Sequence, residues 1–166
     1  MLLSPLPQGL AEGARLRELT LEDLPAVHAL ELKLFPQDAW PIDMFLAEVQ
    51  HPSRGYLVLE VPGEGGYQLA GYAGLMSLGD TADVQTIAVV PDQEGKGYGR
   101  AMLTYLAQEA SARGAEQILL EVRADNPRAQ RLYARNGYQQ IHTRRGYYPG
   151  GVDALIMRAQ LTPQNP

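Results

Sequence analysis

Three closely spaced glycines mark the segment whose residues are best suited to chemistry. Gly95, Gly97 and Gly99 follow an apolar, strand-like run at residues 83–90 and stand at the start of a helical pattern. A glycine loop at the start of a helix leaves backbone N–H groups free, and the helix dipole favours negative charge there. The sequence therefore predicts a site for a phosphate-bearing ligand.

The spacing of these glycines argues against two common nucleotide-binding motifs. A P-loop has Gly-x-x-x-x-Gly-Lys followed by Ser or Thr, whereas here Lys96 precedes Gly97 and no hydroxyl residue follows. A dinucleotide-binding turn has Gly-x-Gly-x-x-Gly in the first strand-to-helix connection, whereas this loop lies in mid-chain after a predicted hairpin. On the residues alone, a phosphate cradle and a glycine-rich turn without a ligand both stay open.

The run IAVVPDQEGKGYGR at residues 87–100 resembles the acetyl-CoA signature of the GNAT N-acetyltransferases, Gln/Arg-x-x-Gly-x-Gly/Ala. The resemblance implies acetyl-CoA as the cosubstrate and no metal. It also implies a mixed α/β fold, a mostly antiparallel sheet of about seven strands flanked by about four helices. In this family, backbone groups of the strand pair with the pantetheine arm and loop N–H groups bind the pyrophosphate. The implied cofactor-binding residues are Ile87, Ala88, Val89, Gly95, Lys96, Gly97, Tyr98, Gly99, Arg100 and Asn126.

Glu94 is the residue of this loop that departs from the family pattern. It stands where the family has Gln or Arg, and it brings a negative charge close to the predicted pyrophosphate. We expect Lys96 and Arg100 to offset that charge.

Three further segments resemble the RimI-like branch of the family, the ribosomal-protein-alanine N-acetyltransferases. They are LEVRADN at residues 120–126, RLYARNGY at residues 131–138 and RRGYYP at residues 144–149. The resemblance runs from about residue 80 to residue 158 and implies transfer of an acetyl group to a protein N-terminus, ribosomal proteins among the partners. It assigns Glu121 as general base and Tyr133 as general acid, and it places Arg145, Tyr147 and Tyr148 in the peptide-substrate groove.

The chemistry of these two residue types suits that reaction. An α-ammonium group has a pKa of about 7.7–8.0 against about 10.4 for lysine, so a single carboxylate such as Glu121 can deprotonate it. Glu121 shares a strand face with Leu119 and Arg123, and we expect partial burial to raise its pKa. The Tyr133 phenol, with an ordinary pKa of about 10, can protonate a departing thiolate in a nearly balanced transfer.

Each of these residues also has a purely structural interpretation that the sequence leaves open. Glu121 could form a salt bridge with Arg123 or Arg144. Tyr133 lies on an apolar helix face and could be a core aromatic. Asn126 precedes Pro127 and is an ordinary helix N-cap, whether or not it also binds the cofactor.

The elements that would hold these residues follow from periodicity. We predict strands at residues 14–19, 56–61, 67–78, 83–90, 117–123, 138–144 and 153–158, with a turn at residues 146–149. We predict two helices after Thr20 and Pro41, one from residue 97 or 98 to 113, and a short one after Asn126. The long helix carries Leu103, Leu106 and Ala110 on one face and ends at Gly114, as a C′ glycine should.

Length and composition limit the class of protein. A chain of 166 residues favours one domain, which we place at residues 13–160 between a flexible arm at 1–12 and a tail at 161–166. The net charge of −5 argues against a broad nucleic-acid-binding face. Three histidines lack metal-ligand spacing, cysteine is absent, and no apolar run is long enough to span a membrane. We expect a cytoplasmic protein.

Three functions are consistent with these sequence features. The first is an N-alpha-acetyltransferase that acts by direct attack of the amine on acetyl-CoA. The second is an enzyme of the same family that acts on a small-molecule amine or a lysine side chain. The third is a non-catalytic acyl-CoA binding module.

Overall fold

A seven-stranded sheet forms the centre of the protein, in a computed structural model that describes residues 1–163. The strands are β1 (Arg15–Glu18), β2 (Arg54–Gly63), β3 (Gly66–Leu78), β4 (Thr81–Val89), β5 (Gln117–Arg123), β6 (Gln139–Tyr148) and β7 (Val152–Gln160). The helices are α1 (Leu24–Leu34), α2 (Ile42–Gln50), α3 (Tyr98–Ala112) and α4 (Pro127–Arg135). The strands lie in the order β1-β2-β3-β4-β5-β7-β6, and β4–β5 is the parallel pair among antiparallel neighbours. The predicted mixed, mostly antiparallel architecture is confirmed.

The two parallel strands separate along their length. β4 and β5 pair only from Thr81–Asp83 to Gln117–Leu119. Directly after Asp83, the register of β4 against β3 shifts between Val84 and Thr86, which leaves Gln85 as the extra residue of a bulge. A bulge bends its strand and increases its twist. The bend therefore accompanies a gap between β4 and β5 in the middle of the sheet.

Each face of the sheet has its own hydrophobic core. On one face, α1 and α2 cover β2 and β3 through residues such as Val27, Phe45 and Tyr72. On the other face, α3 buries the predicted stripe of Leu103, Leu106 and Ala110 against the sheet. Tyr133 of α4 belongs to this second core. The gap between β4 and β5 thus lies between two separately packed layers.

The N-terminal residues are docked on α3, contrary to the prediction of a loose arm. The backbone N–H groups of Leu3 and Ser4 donate to the buried carboxylate of Glu109 at 2.8 Å each. The Tyr105 hydroxyl donates to the Ser4 carbonyl at 2.9 Å. Leu2 and Leu6 pack against the core. The sequence pattern could not show this because the partner of the arm is a single buried acid on a distant helix.

The C-terminal residues also contact the domain as far as they are described. The Leu161 N–H donates to the Glu116 carbonyl at 2.9 Å, and the Ser111 hydroxyl donates to the Thr162 carbonyl at 3.0 Å. Residues 164–166 of the predicted tail lie outside the described residues. None of the helices within residues 1–163 is long and apolar enough to cross a membrane.

Candidate active site

A row of free backbone donors lies at the start of α3. Within residues 1–163, the N–H groups of residues 95–100 donate to no acceptor of the protein, whereas those of Gln93, Glu94 and Ala101 do. Gly95 and Gly97 have φ angles of 77° and 85°, in the left-handed region that glycine tolerates best. Six consecutive N–H groups at a helix N-terminus form a concave anion site.

Gly99 allows α4 to approach this cradle closely. A Cβ atom at Gly99 would lie 3.1 Å from Cδ2 of Leu132, so a larger residue would force the Leu132 side chain to shift. Leu132 precedes Tyr133 on α4. Tyr133 belongs to the same buried cluster as Tyr98, the first residue of α3.

The charged side chains of the loop are paired differently from our expectation. Glu94 forms an ion pair with Arg128 of α4, with 2.7 Å between oxygen and nitrogen. Lys96 donates instead to Glu12 at 2.7 Å and to Gln93 at 3.1 Å. The expectation that Lys96 offsets Glu94 is wrong, because Lys96 turns toward the N-terminal segment. Arg100 is exposed.

Tyr98 contributes only its backbone to the cradle. Its side chain is buried in the core, and its hydroxyl donates to the Ala11 carbonyl at 2.9 Å. The predicted role of Tyr98 in cofactor binding is therefore limited to its N–H group.

The end of β4 offers a free edge next to this cradle. Ile87, Ala88 and Val89 pair with Ala73, Tyr72 and Gly71 of β3 on one side. On the other side, β5 has already separated from β4. Backbone groups on that edge need partners, and an extended ligand with amide groups can pair with them as an added strand does.

Asn126 acts as the N-cap of α4. Its side-chain oxygen accepts a hydrogen bond from the Ala129 N–H at 3.1 Å. The side-chain amide nitrogen donates to no acceptor within residues 1–163. Capping therefore leaves that nitrogen available to a ligand, and the predicted contact with the cofactor stays a prediction.

Glu121 lies on β5 beyond the point where β4 and β5 separate. Its side chain is 36% exposed, and one oxygen lies 3.4 Å from Nη1 of Arg144. The expected burial is wrong: α1 and α2 cover β2 and β3, so this part of the face stays open. The salt bridge that the sequence left open is present, but at 51% exposure of Arg144 it is a weak, solvated pair.

Tyr133 lies on the other side of the sheet, in the core beneath α3. It is 8% exposed, and its ring centroid lies 6.1 Å from that of Tyr138. Burial, with a smaller contribution from Tyr148, raises the pKa of Tyr133 to about 12. Its hydroxyl has no hydrogen-bond partner within residues 1–163. Tyr133 is thus a core aromatic with a protonated hydroxyl that is free to donate.

The end of β6 brings the two predicted groove tyrosines to the gap. The strand continues to Tyr148, beyond the predicted boundary at residue 144, with a register break between Arg144 and Tyr148. Tyr147 is half-exposed and its ring centroid lies 5.1 Å from that of Tyr148. Burial and then the charge of Glu121 raise the pKa of Tyr148 to about 12. Tyr148 lies beside β5, since the Arg123 guanidinium is 5.0 Å from its ring centroid, whereas Arg145 is exposed on the strand.

Two acids of this region, Asp83 and Asp38, were not predicted as site residues. Asp83 sits at the last β4–β5 pair, and burial followed by the charge of Glu121 raises its pKa. Asp38, in the loop between α1 and α2, binds Arg123 at 2.7 Å, and the Arg123 guanidinium lies 5.0 Å from the Tyr148 ring centroid. An acid inside an otherwise apolar strand was a usable signal for Asp83. Nothing local in the sequence indicates the Asp38–Arg123 contact.

Known proteins of one family are similar to this chain in sequence and in structure. The model of the Acetyltransferase (GNAT) family matches residues 15–138. The chain is 39% identical to the N-alpha-acetyltransferase RimI of Mycobacterium tuberculosis over 153 residues, 89% of this chain and 92% of that protein. It is 35% identical to the [ribosomal protein bS18]-alanine N-acetyltransferase of Escherichia coli K12 over 144 residues, 84% and 92% of the two chains. The crystal structure of the ribosomal-protein-S18-alanine N-acetyltransferase from Escherichia coli superimposes with a TM-score of 0.77 at 31% identity, covering 92% and 96%.

The chain belongs to the GNAT acetyltransferase family. It is an acetyl-CoA-dependent N-acetyltransferase. The residues present fit that cosubstrate, because six free N–H groups suit a pyrophosphate and the free edge of β4 suits the amide-bearing pantetheine arm. No cluster of three or more His, Asp or Glu side chains in the described part of the chain could hold a metal ion.

Proposed function

We propose that this enzyme acetylates the α-amine of protein N-termini, with Glu121 as general base and Tyr133 as general acid. The observation that carries the proposal is that Glu121 lies on β5 beyond its last pair with β4, while Tyr133 belongs to the core on the opposite face of the sheet. Glu121 lies on the face that carries α1 and α2, and Tyr133 lies on the face that carries α3. A reaction that passes through the gap would meet the base on one side and the acid on the other.

The exposure of Glu121 supports a role in preparing the amine. Its carboxylate is open to solvent, so an α-ammonium group can reach it directly or through one water. Removing that proton leaves a neutral amine that attacks without an enzyme nucleophile. When bound, acetyl-CoA supplies an acetyl thioester whose carbonyl accepts the amine and whose sulfur leaves.

The position of Tyr133 in the core on the other face supports a role in protonating the departing sulfur. The attacking nitrogen loses a second proton as the amide forms, and this proton restores the Tyr133 phenol. With a pKa of about 12, its hydroxyl is protonated at neutral pH and can donate. This value makes Tyr133 a weaker acid than an ordinary tyrosine, whose pKa is about 10. The same desolvation raises the pKa of any thiol in that site, since a buried thiolate is as unfavourable as a buried phenolate. The two pKa values therefore stay close to each other when the Tyr133 phenol and the thiol lie in the same desolvated site, so proton transfer between them is nearly balanced.

The substrate is inferred from the groove and from the relatives. Tyr147 packs beside Tyr148, and Arg144, which pairs with Glu121, lies 5.3 Å from the Tyr147 ring centroid. An exposed aromatic such as Tyr147 suits contact with an extended peptide, and we assign Tyr148 and Arg145 to the same groove. Similar proteins are named for the alanine N-terminus of ribosomal protein bS18. We infer a peptide N-terminus as the substrate, a ribosomal protein as the class of partner, and the cytoplasm as the site of the reaction.

A peptide panel tests this function directly. The purified enzyme and acetyl-CoA are incubated with peptides that begin with Ala, Ser or Thr, and mass spectrometry locates the acetyl group. We expect transfer to the α-amine. The same peptides with a blocked N-terminus and an internal lysine, and the polyamine spermidine, serve as controls. Transfer only to the lysine or to spermidine, or no transfer to any amine, would refute the proposal.

A further inference from the structure

We infer that Arg128 of α4 completes the cofactor phosphate site by cancelling the charge of Glu94. The family has Gln or Arg at the position of Glu94, and this chain has an acid beside the six free N–H groups. The pair of Glu94 and Arg128 leaves the rim of the cradle neutral. Where the family has Gln or Arg on the loop, this chain has an acid that is paired with a cation from a different helix.

The geometry of the pair supports this role. The Nη1 atom of Arg128 lies 2.7 Å from Oε2 of Glu94, a distance typical of a charge-assisted hydrogen bond. Glu94 directly precedes Gly95, whose N–H is the first of the free donors. Glu94 is 32% exposed and Arg128 is 63% exposed, so the guanidinium forms the outer, solvent-facing wall of the site.

The packing of α4 explains why Arg128 can reach the loop. Asn126 caps the helix and Pro127 occupies its first turn, which fixes the direction in which the next side chain leaves the helix. Close contact between Leu132 and Gly99 holds α4 against the start of α3. Arg128 therefore extends from a fixed helix terminus toward Glu94.

The other basic side chains of the loop, Lys96 and Arg100, do not form an ion pair with Glu94. Lys96 is bound to Glu12 and Gln93, and no ion pair of Arg100 occurs within residues 1–163. An uncompensated Glu94 would repel the pyrophosphate of the cofactor. A unit charge about 7 Å from a group with about two negative charges changes a dissociation constant about fivefold to tenfold in a water-like dielectric.

A double-mutant cycle tests the inference through cofactor binding alone. Calorimetry measures the dissociation constant of acetyl-CoA at about 20 mM salt, where screening is weak. Arg128→Gln is expected to weaken binding about fivefold to tenfold. Glu94→Gln alone is expected to leave binding equal or tighter, and the Glu94→Gln/Arg128→Gln double variant to return within about twofold of the wild type. The loss should persist with 3′-dephospho-CoA, which keeps the pyrophosphate, and should shrink at about 0.5 M salt.

Arg15→Gln is the matched control. It removes the same charge and breaks an exposed ion pair, Arg15–Glu60 at 2.9 Å, on the far edge strand β1. It should not change the affinity for acetyl-CoA. Unchanged binding in Arg128→Gln would overturn the inference. A loss that Glu94→Gln does not restore, or one that disappears with 3′-dephospho-CoA, would also overturn it, because Arg128 would then act on its own or on another phosphate.

Discussion

Glu121 and Tyr133 lie on opposite faces of the sheet, and Glu121 lies on β5 beyond the point where β4 and β5 separate. Leu120 and Val122 flank Glu121 and pack in the same core as Tyr133. Since successive side chains of a strand point to opposite faces, Glu121 must face the other way. The gap therefore separates a solvated carboxylate from a desolvated phenol, and this division suits removal of one proton and delivery of another.

Replacing Glu121 by Gln should change the pH dependence of the rate. Without a base, only amine that is already neutral can react, so kcat/KM should follow the α-amine and level off near its pKa of about 8. We expect a loss of about tenfold to a hundredfold at pH 7. Measurements from pH 6 to pH 9.5 with an Ala-initiated peptide check this, and an unchanged profile would remove Glu121 from the role of base.

Asp83→Asn is the matched control for Glu121→Gln. The pKa of Asp83 is raised by burial and then by the charge of Glu121, so these two carboxylates are close neighbours. Asp83→Asn should keep the wild-type pH profile if Glu121 is the base. A shifted profile in Asp83→Asn, with none in Glu121→Gln, would assign the base to Asp83 instead.

Replacing Tyr133 by Phe should lower kcat without weakening substrate binding. The ring stays in the core, and only the unpartnered hydroxyl is lost. We expect kcat to fall about a hundredfold, within the usual range for loss of a general acid. Steady-state kinetics and a binding measurement for acetyl-CoA separate the two effects. Equal, small losses in kcat and in peptide affinity would assign Tyr133 to packing.

Tyr138→Phe is a control with the same atomic change in the same core. The Tyr138 hydroxyl is buried without a hydrogen-bond partner within residues 1–163, and its ring packs against that of Tyr133. Removing an unsatisfied buried hydroxyl should leave kcat unchanged and should not destabilise the fold. A fall in kcat like that of Tyr133→Phe would mean that packing, not proton donation, explains both.

The sequence was sufficient for features that depend on local pattern. The glycine spacing predicts the cradle at residues 95–100, since a left-handed backbone at Gly95 and Gly97 has a strong residue preference. The stripe of Leu103 and Leu106 predicts the buried face of α3. The cap at Asn126 predicts the start of α4. Each of these depends on residues within one or two helical turns of one another.

Features that depend on distant contacts could not be predicted in this way. Arg128 and Glu94 are separated by a helix and a strand, so nothing in either neighbourhood indicates their pairing. The exposure of Glu121 depends on how far α1 and α2 extend across the sheet, which strand periodicity does not report. The docking of residues 1–12 depends on Glu109, a buried acid that the helical pattern presents as one polar residue among many.

Replacing Tyr147 by Ala should weaken the peptide and spare the cofactor. Tyr147 is half-exposed beside Tyr148 on the approach to Glu121. Loss of one aromatic contact of about 1–1.5 kcal/mol corresponds to an increase of about tenfold in peptide KM. The KM for acetyl-CoA should not change. Tyr67→Ala removes a similarly exposed aromatic at the start of β3 and should leave both constants unchanged. Equal effects of the two substitutions would exclude a groove contact for Tyr147.

Replacing Glu109 by Gln should destabilise the fold at neutral pH. Glu109 is fully buried, and its carboxylate accepts hydrogen bonds from Leu3, Ser4 and Arg113. An amide cannot accept all of them and leaves Arg113 without its ion pair, at an expected cost of about 2–3 kcal/mol. For a chain of this size that corresponds to a fall in Tm of about 5–10 °C. Thermal unfolding by circular dichroism at pH 7 measures it.

The pH dependence of the loss of stability in Glu109→Gln tests whether Glu109 stabilises the fold through its charge. Burial acts to raise the pKa of Glu109, but the hydrogen bonds from Leu3, Ser4 and Arg113 outweigh it and hold the pKa below its ordinary value. A depressed carboxyl pKa gives stability that is present above the unfolded pKa of about 4.3 and is lost as pH falls through the folded pKa. The difference in Tm between the wild type and Glu109→Gln should therefore be constant from pH 6 to pH 8 and shrink below pH 4.

Glu18→Gln, which removes an exposed pair with the N-terminal ammonium, should change Tm little at any pH. A difference that persists unchanged below pH 4 would show that Glu109 stabilises the docked N-terminal residues through its shape and not its charge.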